Sequence, residues 1–229
     1  PRPLPPLPPI EAAVLAAVIL SAGQSSRMGT PKALVDFRGK TFLAHLLDAA
    51  QHPQIGFVRV VLGAHDAEIR RALNLPDDLV VLNPDWQRGQ LSSIQVALRA
   101  LSADARATSA ARSDHVAKAA PASDALDGIL LCPVDHPLIT RSLVAALVAA
   151  FYSDAKPLIV VPTFRGRRGH PVIFSRSLFP ELLSAPADEG ARAVVWSHAS
   201  QVAEVPTEEE GVVLNMDDPE SLRRARGES

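Results

Sequence analysis

Continuous apolar runs alternate along this chain with segments whose apolar residues recur every three or four positions. The run AAVLAAVILSAG (12–23) is richest in β-branched residues near Val18 and Ile19 and reads as a buried strand. KTFLAHLLDAA (40–50) places Phe42, Leu43, Leu46 and Leu47 at helical spacing, which predicts a helix over Thr41 to Ala50. FVRVVLGAH reads as a second strand, DAEIRRAL as its helix, and LVVLNPDW as a third strand ending in a turn. LSSIQVALRAL predicts a helix with Ile94, Leu98 and Leu101 on one face; GILLCPVD is another apolar strand and SLVAALVAAFY another helix. Strands that are apolar throughout, alternating with helices, imply a mostly parallel sheet covered on both faces, an α/β three-layer architecture. The last third changes character. PLIVVPTF, GHPVIFS, QVAEVP and VVLNM lie close together, which predicts a hairpin beside the main sheet and one antiparallel excursion.

Two segments break this rhythm. Residues 1–9, PRPLPPLPP, mostly lack an amide proton and predict a polyproline-like arm or tail. Residues 103–126 are almost wholly Ala, Ser, Asp and Arg, with Val116 and Leu126 as the sizeable apolar side chains. They bury too little surface to offset the entropy of ordering them, so they read as a surface insertion, partly helical at most. The expectation is one domain over 10–229, interrupted at 103–126 and preceded by the arm.

Composition narrows the function classes. With 229 residues, 47% of them hydrophobic, the chain can build a sizeable core. A net charge of −2 provides no general attraction to nucleic acid or to membranes. The single cysteine, Cys132, excludes a disulfide framework and a Cys-rich zinc site, and an intracellular, cytoplasmic location is expected. The apolar stretch from Ile10 to Leu20 is about half the length needed to cross a bilayer, so it reads as a strand with its lead-in.

Three segments carry chemistry. LSAGQSSRMGTPKAL (20–34) follows a buried strand, so it emerges at the carboxyl edge of the sheet, where open α/β folds bind ligands. Gly23 and Gly29 allow tight turns that present amides to an anion, and Ser25 and Ser26 add hydroxyls. Arg27 and Lys32 bring two positive charges suited to phosphate. No Lys-Ser or Lys-Thr pair follows a glycine at Walker spacing, and Gly23-Gln24-Ser25 lacks the second glycine of a dinucleotide fingerprint. In ILLCPVDHPLIT (129–140), Asp135 follows a strand end at the same edge; a carboxylate there either holds Mg²⁺ or caps the turn starting near Pro137. In VVLNMDDPESLRR (212–224), Asp218 reads as a helix N-cap ahead of Pro219, with Ser221 where a capping box has Glu. That leaves Asn215 and Asp217 as candidate metal ligands. The hairpin TFRGRRGHPVIF sets Arg165, Arg167 and Arg168 beside Gly166 and Gly169, either a basic loop for an anionic acceptor or a solvated tip.

Taken in order, these segments resemble the molybdenum-cofactor nucleotidyltransferases, the MobA-like NTP transferases. The resemblance runs through Leu20-Ser21-Ala22-Gly23, Ser25 or Ser26, Arg27-Met28-Gly29 and Lys32, and through Asn83-Pro84-Asp85-Trp86 with Gly89 and Ser92-Ser93. It continues in Pro133-Val134-Asp135-His136-Pro137, Arg168-Gly169-His170-Pro171 and Asn215-Met216-Asp217-Asp218-Pro219. It implies a Rossmann-like nucleotidyltransferase fold whose first loop, Leu20 to Gly23 with Ser25, Ser26 and Gly29, holds a nucleoside triphosphate together with Ser92 and Ser93. It further implies catalytic roles for Arg27, Lys32 and Asp135, a Mg²⁺ ion on Asp135 and Asp217, and acceptor binding by Arg168 and His170. The acceptor phosphate of molybdopterin or molybdenum cofactor would displace pyrophosphate, and a molybdoenzyme would receive the product. Ala22-Gly23 in place of Gly-Gly favours CTP over GTP, because a methyl at position 22 crowds a purine more than a pyrimidine. Guanylyl transfer, transfer to a sugar phosphate, and a non-catalytic cofactor-delivery role are the alternatives.

Overall fold

The computed structural model describes residues 14–111 and 126–227. In chain order its elements are β1 (Val14–Ser21), the short pair β2 (Asp36–Phe37) and β3 (Lys40–Thr41), α1 (Phe42–Ala49), β4 (Ile55–Leu62) and α2 (Asp66–Leu73). They continue with β5 (Val80–Leu82), α3 (Gln90–Ala111), β6 (Leu126–Pro133), α4 (Arg141–Phe151), β7 (Ile159–Phe164), β8 (Arg167–Arg168) and β9 (Val172–Ser175). The last are α5 (Phe179–Ser184), α6 (Ala191–Ser197), β10 (Val202–Pro206) and α7 (Pro219–Arg226). The main sheet runs β10-β7-β9-β6-β1-β4-β5, with β8 paired to β7, and β2–β3 form a separate antiparallel ribbon.

Side-chain alternation along β1 explains the three layers. Leu15, Ala17 and Ile19 point into one core with Leu43, Leu46, Val144 and Leu147 from α1 and α4. Ala16, Val18 and Leu20 point into the other, with Ile94, Leu98 and Leu101 of α3 and Leu178, Leu182 and Val194 further on. A strand apolar at every position is therefore what a two-sided core demands. The helices begin where sequence chemistry permits: Thr41 caps α1 by accepting from Ala44 N at 3.2 Å, and Thr140 caps α4 by accepting from Leu143 N at 3.1 Å.

The mostly parallel sheet is as expected: β1 pairs parallel with β4 and β6, β4 with β5, and β7 with β10. The placement of the final strands corrects the expected side hairpin. β9 is inserted in the sheet, antiparallel to both β6 and β7, because Val172, Ile173 and Phe174 are all buried and need cover on two faces. QVAEVP joins the edge in parallel as β10, and VVLNM forms no strand. Its Val212 and Met216 are buried, the amides of Val212 to Leu214 close a turn on Glu209 and Glu210, and the Met216 amide bonds Asp135 O. The proline-rich arm lies outside the described residues, as do residues 112–125 of the expected insertion; residues 103–111 continue α3. Among the described residues no helix is long and apolar enough to cross a membrane.

One glycine is set by packing. β6 carries one extra residue relative to β1, since Val14 faces Leu126 but Leu15 faces Gly128. A Cβ on Gly128 would be driven into the Phe174 carbonyl oxygen, with Leu15 Cδ2 at 3.2 Å and Phe151 Cζ at 3.3 Å. Gly128→Ala should destabilise the protein by about 1–3 kcal/mol, as overpacking does. Urea unfolding should show a lower midpoint with an unchanged slope; an unaltered midpoint would mean that the strands part at no cost.

Candidate functional site

The site lies at the carboxyl end of β1, where three further segments are stitched to the first loop. Val134 N donates to Leu20 O at 3.0 Å, which holds the end of β6 beside it. Ala64 N donates to Ala22 O at 3.0 Å, and Gly63 lies so close that a Cβ would come 2.7 Å from Ala22 O and 2.8 Å from Trp86 Cβ. Met216 N donates to Asp135 O at 2.7 Å, which ties the 211–217 segment to the same corner.

Within the loop, Ser25 adopts a left-handed backbone (φ 54°) that L residues disfavour. Its hydroxyl oxygen accepts from Lys32 N at 3.0 Å, closing the turn and aiming Lys32 into the cleft. There Lys32 Nζ approaches Asp135 Oδ2 at 3.5 Å and makes a close ion pair with Asp217 Oδ1. Arg27 Nη2 bonds Asp217 Oδ2 at 3.0 Å, and Asn215 Nδ2 donates to the same oxygen at 3.1 Å. The Lys32, Asp135 and Asp217 side chains are only 16%, 23% and 20% exposed, whereas Arg27 stands at the rim at 66%. Burial alone would raise the Asp217 carboxyl, but the hydrogen bond and charge of Lys32, then Asp135 and Arg27, hold it below the usual carboxylate range.

Asp135 does not cap the turn near Pro137: its Oδ2 faces Lys32 Nζ and, among the described residues, accepts from no turn amide, and the following helix α4 is capped by Thr140. Asp135 Oδ1 is instead buried without a hydrogen-bond partner, and His136 Nε2 stands 3.9 Å away. Such an orphan acceptor beside a second carboxylate suits a hard divalent cation, which takes one or two protein carboxylates and completes its shell with water and phosphate. Among the described residues no group of three or more His, Cys, Asp or Glu side chains is placed to hold a metal. Asp218 does cap α7, and Ser221 closes the capping box that a Glu usually supplies: Ser221 N donates to Asp218 Oδ1 at 2.7 Å and Asp218 N to Ser221 Oγ at 3.2 Å. Capping thus occupies Asp218 and leaves Asp217 to pair with Lys32 and Arg27 beside the cleft, which neither Asp217 nor Arg27 lines.

The cleft has a volume of about 240 Å³ and gathers Leu20, Ser21, Ala22, Gly23, Ser25, Lys32, Asp135 and Ser93 from the expected set. Ser26 and Gly29 are exposed on the loop and do not line it. Ser92 turns away: its hydroxyl donates to Gly89 O at 2.8 Å and accepts from Asn83 Nδ2 at 2.9 Å. Arg168, on the short β8, pairs with Glu204 at 2.7 Å, and neither it nor His170 lines the cleft. Sequence reasoning passed over Trp86 and Gln90, which form one wall, and Gly63, which lets Trp86 approach. Trp86 and Gly89 already stood in the resemblance motif; their role as a wall depends on β4 and β5 lying side by side.

A model of the MobA-like NTP transferase domain matches residues 17–202. The chain is 28% identical over 222 residues to nicotine blue oxidoreductase of Paenarthrobacter nicotinovorans, covering 90% of this chain and 94% of that protein. It is 29% identical over 225 residues to molybdenum cofactor guanylyltransferase of Rhizobium meliloti, covering 91% and 89%. Among solved structures, Rv0371c of Mycobacterium tuberculosis superposes with a TM-score of 0.67 at 28% identity, covering 93% of this chain and 97% of that one. A second structure of that protein, in complex with manganese, gives a TM-score of 0.64 at 27% identity with the same coverage.

Behind Asp135 lies a histidine pair, His136 and His170, with ring centroids 4.9 Å apart. His136 Nδ1 contacts Gly211 O at 3.3 Å, whereas His170 Nδ1 is sealed without a partner. Burial, and then the neighbouring His136, push the His170 imidazole down to about 4. The unfolded chain therefore binds a proton near pH 6.5 that the folded chain refuses until about pH 4, so stability falls as pH drops through that window. The loss should approach ~3 kcal/mol. Urea midpoints measured from pH 7 to pH 4 should fall less steeply for His170→Gln than for the wild type; parallel curves would show that this imidazole is not the responsible group.

Proposed function

The chain belongs to the MobA-like NTP transferase family, and on that footing we propose that it transfers a nucleoside monophosphate to the terminal phosphate of molybdopterin or molybdenum cofactor, releasing pyrophosphate. The ion-paired cluster of Lys32, Arg27, Asp135 and Asp217, of which Lys32 and Asp135 line the cleft and Arg27 and Asp217 do not, carries this reading. A triphosphate needs cations on its β- and γ-phosphates and a divalent ion on its α-phosphate, and these four side chains divide along that line.

In this reading the loop amides from Ala22 to Ser25 and the Lys32 ammonium receive the triphosphate, and Arg27 closes over it from the rim. Asp135 and Asp217 would hold Mg²⁺ or a similar divalent ion, which supplies positive charge to the phosphate under attack. Lys32 leaves the carboxylates and follows the negative charge that develops on the departing pyrophosphate. The acceptor phosphate is itself the nucleophile, so no side chain needs to attack or to form a covalent intermediate. Alignment and charge neutralisation are the work left to the protein.

CTP is the proposed donor. The Ala22 methyl stands on the wall of the cleft, and it crowds a purine more than a pyrimidine. Guanylyl transfer is the second reading, favoured by the relative named molybdenum cofactor guanylyltransferase. The name of the redox relative does not change the assignment, because the first loop carries Ser25 where a dinucleotide fingerprint needs its second glycine.

Purified protein should release pyrophosphate from CTP only when Mg²⁺ and molybdopterin are both present, and more slowly from GTP. Turnover with a sugar phosphate but not with molybdopterin would overturn the acceptor assignment. Asp135→Asn should lower kcat by about 100-fold or more while leaving nucleotide affinity nearly intact, as expected for a group whose main effect comes in the transition state. Near-normal turnover in that variant would remove Asp135 from the metal site.

A further inference from the structure

The wall that separates the nucleotide cleft from the opposite side of α3 has a second concavity behind it. This outer cleft, of about 340 Å³, lies between the first half of α3 and the segment after α5. Ser92, Gln95 and Arg99 fall on one stripe of α3 at helical spacing, opposite the buried stripe of Ile94, Leu98 and Leu101. Gln95 is held in place by donating to Leu182 O and Leu183 O at 3.3 and 3.1 Å. Arg88 enters from the loop before α3, and Leu183 and Ala185 supply an apolar flank.

Two features make this more than a surface dent. Neither Arg88 nor Arg99 has an ion pair or a side-chain hydrogen bond among the described residues, although both line the same cleft. Among the described residues Asp85 is the one acidic residue lining it, against the two arginines. The outer cleft is also joined to the inner one through a single buried side chain. Asn83 Nδ2 donates to Ser92 Oγ and to Ser93 Oγ, both at 2.9 Å; Ser92 lines the outer cleft and Ser93 the inner.

We propose that the outer cleft is a second ligand site, for a small metabolite bearing one phosphate or carboxylate on a short apolar body. The anionic group would lie between the Arg88 and Arg99 guanidiniums, whose forks suit either oxyanion, and the body against Leu183 and Ala185. Occupancy would fix the 85–90 loop that carries Trp86 and Gln90, and would reach Ser93 through Asn83, so the ligand would alter nucleotide affinity. This coupling rests on the nucleotide reading of the inner cleft; binding at the outer site does not.

The test uses the full chain, with phenyl phosphate, benzoate and inorganic phosphate as probes. Titrations followed by NMR of the arginine Nε–H groups should give saturable shifts at Arg88 and Arg99. Tighter binding of phenyl phosphate than of inorganic phosphate would support the apolar flank, and the order of phenyl phosphate and benzoate identifies the anionic group. Arg99→Gln should abolish the shifts, and Arg71→Gln, on the opposite face in α2, should leave them unchanged. Bound probe should also change nucleotide affinity by roughly fivefold in the wild type and not in Arg99→Gln, the low end of usual coupling between sites. Absence of saturable shifts at Arg88 and Arg99, or shifts that survive Arg99→Gln, would overturn the site. Saturable binding without any effect on a measurable nucleotide affinity would overturn the link through Asn83. Binding at Arg99 in a protein that takes no nucleotide would leave the outer site standing and remove the inner cleft's proposed role.

Discussion

A single ammonium group shared by two carboxylates organises the functional end of this molecule. Lys32 lies 103 residues before Asp135 and 185 before Asp217, and it meets both. That meeting demands β6 next to β1, and it demands that the 211–217 segment return to the end of β6, where Met216 N bonds Asp135 O. At an effective dielectric near 20, an ion contact of this length is worth about 4 kcal/mol before desolvation is subtracted. With Arg27 on Asp217, two cations balance two anions, and the site as a whole is neutral.

Neutrality has a consequence for ligand order. A triphosphate arriving alone meets carboxylates as well as cations, and a divalent cation arriving alone meets an ammonium between its two ligands. On the proposed reading, when both arrive each carboxylate would exchange Lys32 for the metal and Lys32 would exchange carboxylate for phosphate, so no charge would be left unpartnered. The cost of separating a partly buried ion pair falls on either ligand by itself and is recovered only by the pair. The same geometry that stabilises the empty site therefore favours joint binding of metal and nucleotide.

The residues legible in advance were those whose position follows from the strand that precedes them. Ser21 to Ser25 and Asp135 come directly after apolar runs, and a buried parallel strand delivers its next residues to one edge; Lys32 follows in the same first loop, turned in by Ser25. Asp217 was reachable for a different reason: Pro219 marks a helix start, so Asp218 is taken by the cap and its neighbour is left free. What could not be read locally depended on lateral order. GHPVIFS resembles any short hairpin strand, and its insertion between β6 and β7 follows only from the burial of Val172 to Phe174 on both faces. Ser92 and Ser93 are adjacent and chemically alike, yet one helical step turns one toward the cleft and the other away. Trp86 becomes a wall because Gly63, just past the end of β4, has no side chain to hold it off.

This division between a charged corner and its walls bears on how one fold serves relatives whose names denote different activities. On the proposed reading Lys32, Asp135 and Asp217 serve the metal and the triphosphate. The choice of base and acceptor would then fall to surfaces set apart from the corner, with Ala22 and Trp86 proposed for the base side. Fold and corner chemistry therefore argue for nucleotidyl transfer as a reaction class, while the identity of either substrate is a question about wall shape. A change of wall costs no catalytic group, since Trp86 and Ala22 touch neither carboxylate in the hydrogen-bond network. Substituting at positions 22 and 86 should consequently move discrimination between one-ring and two-ring bases without moving the metal dependence, whereas any change at Asp135 or Asp217 should move the metal dependence for every base alike.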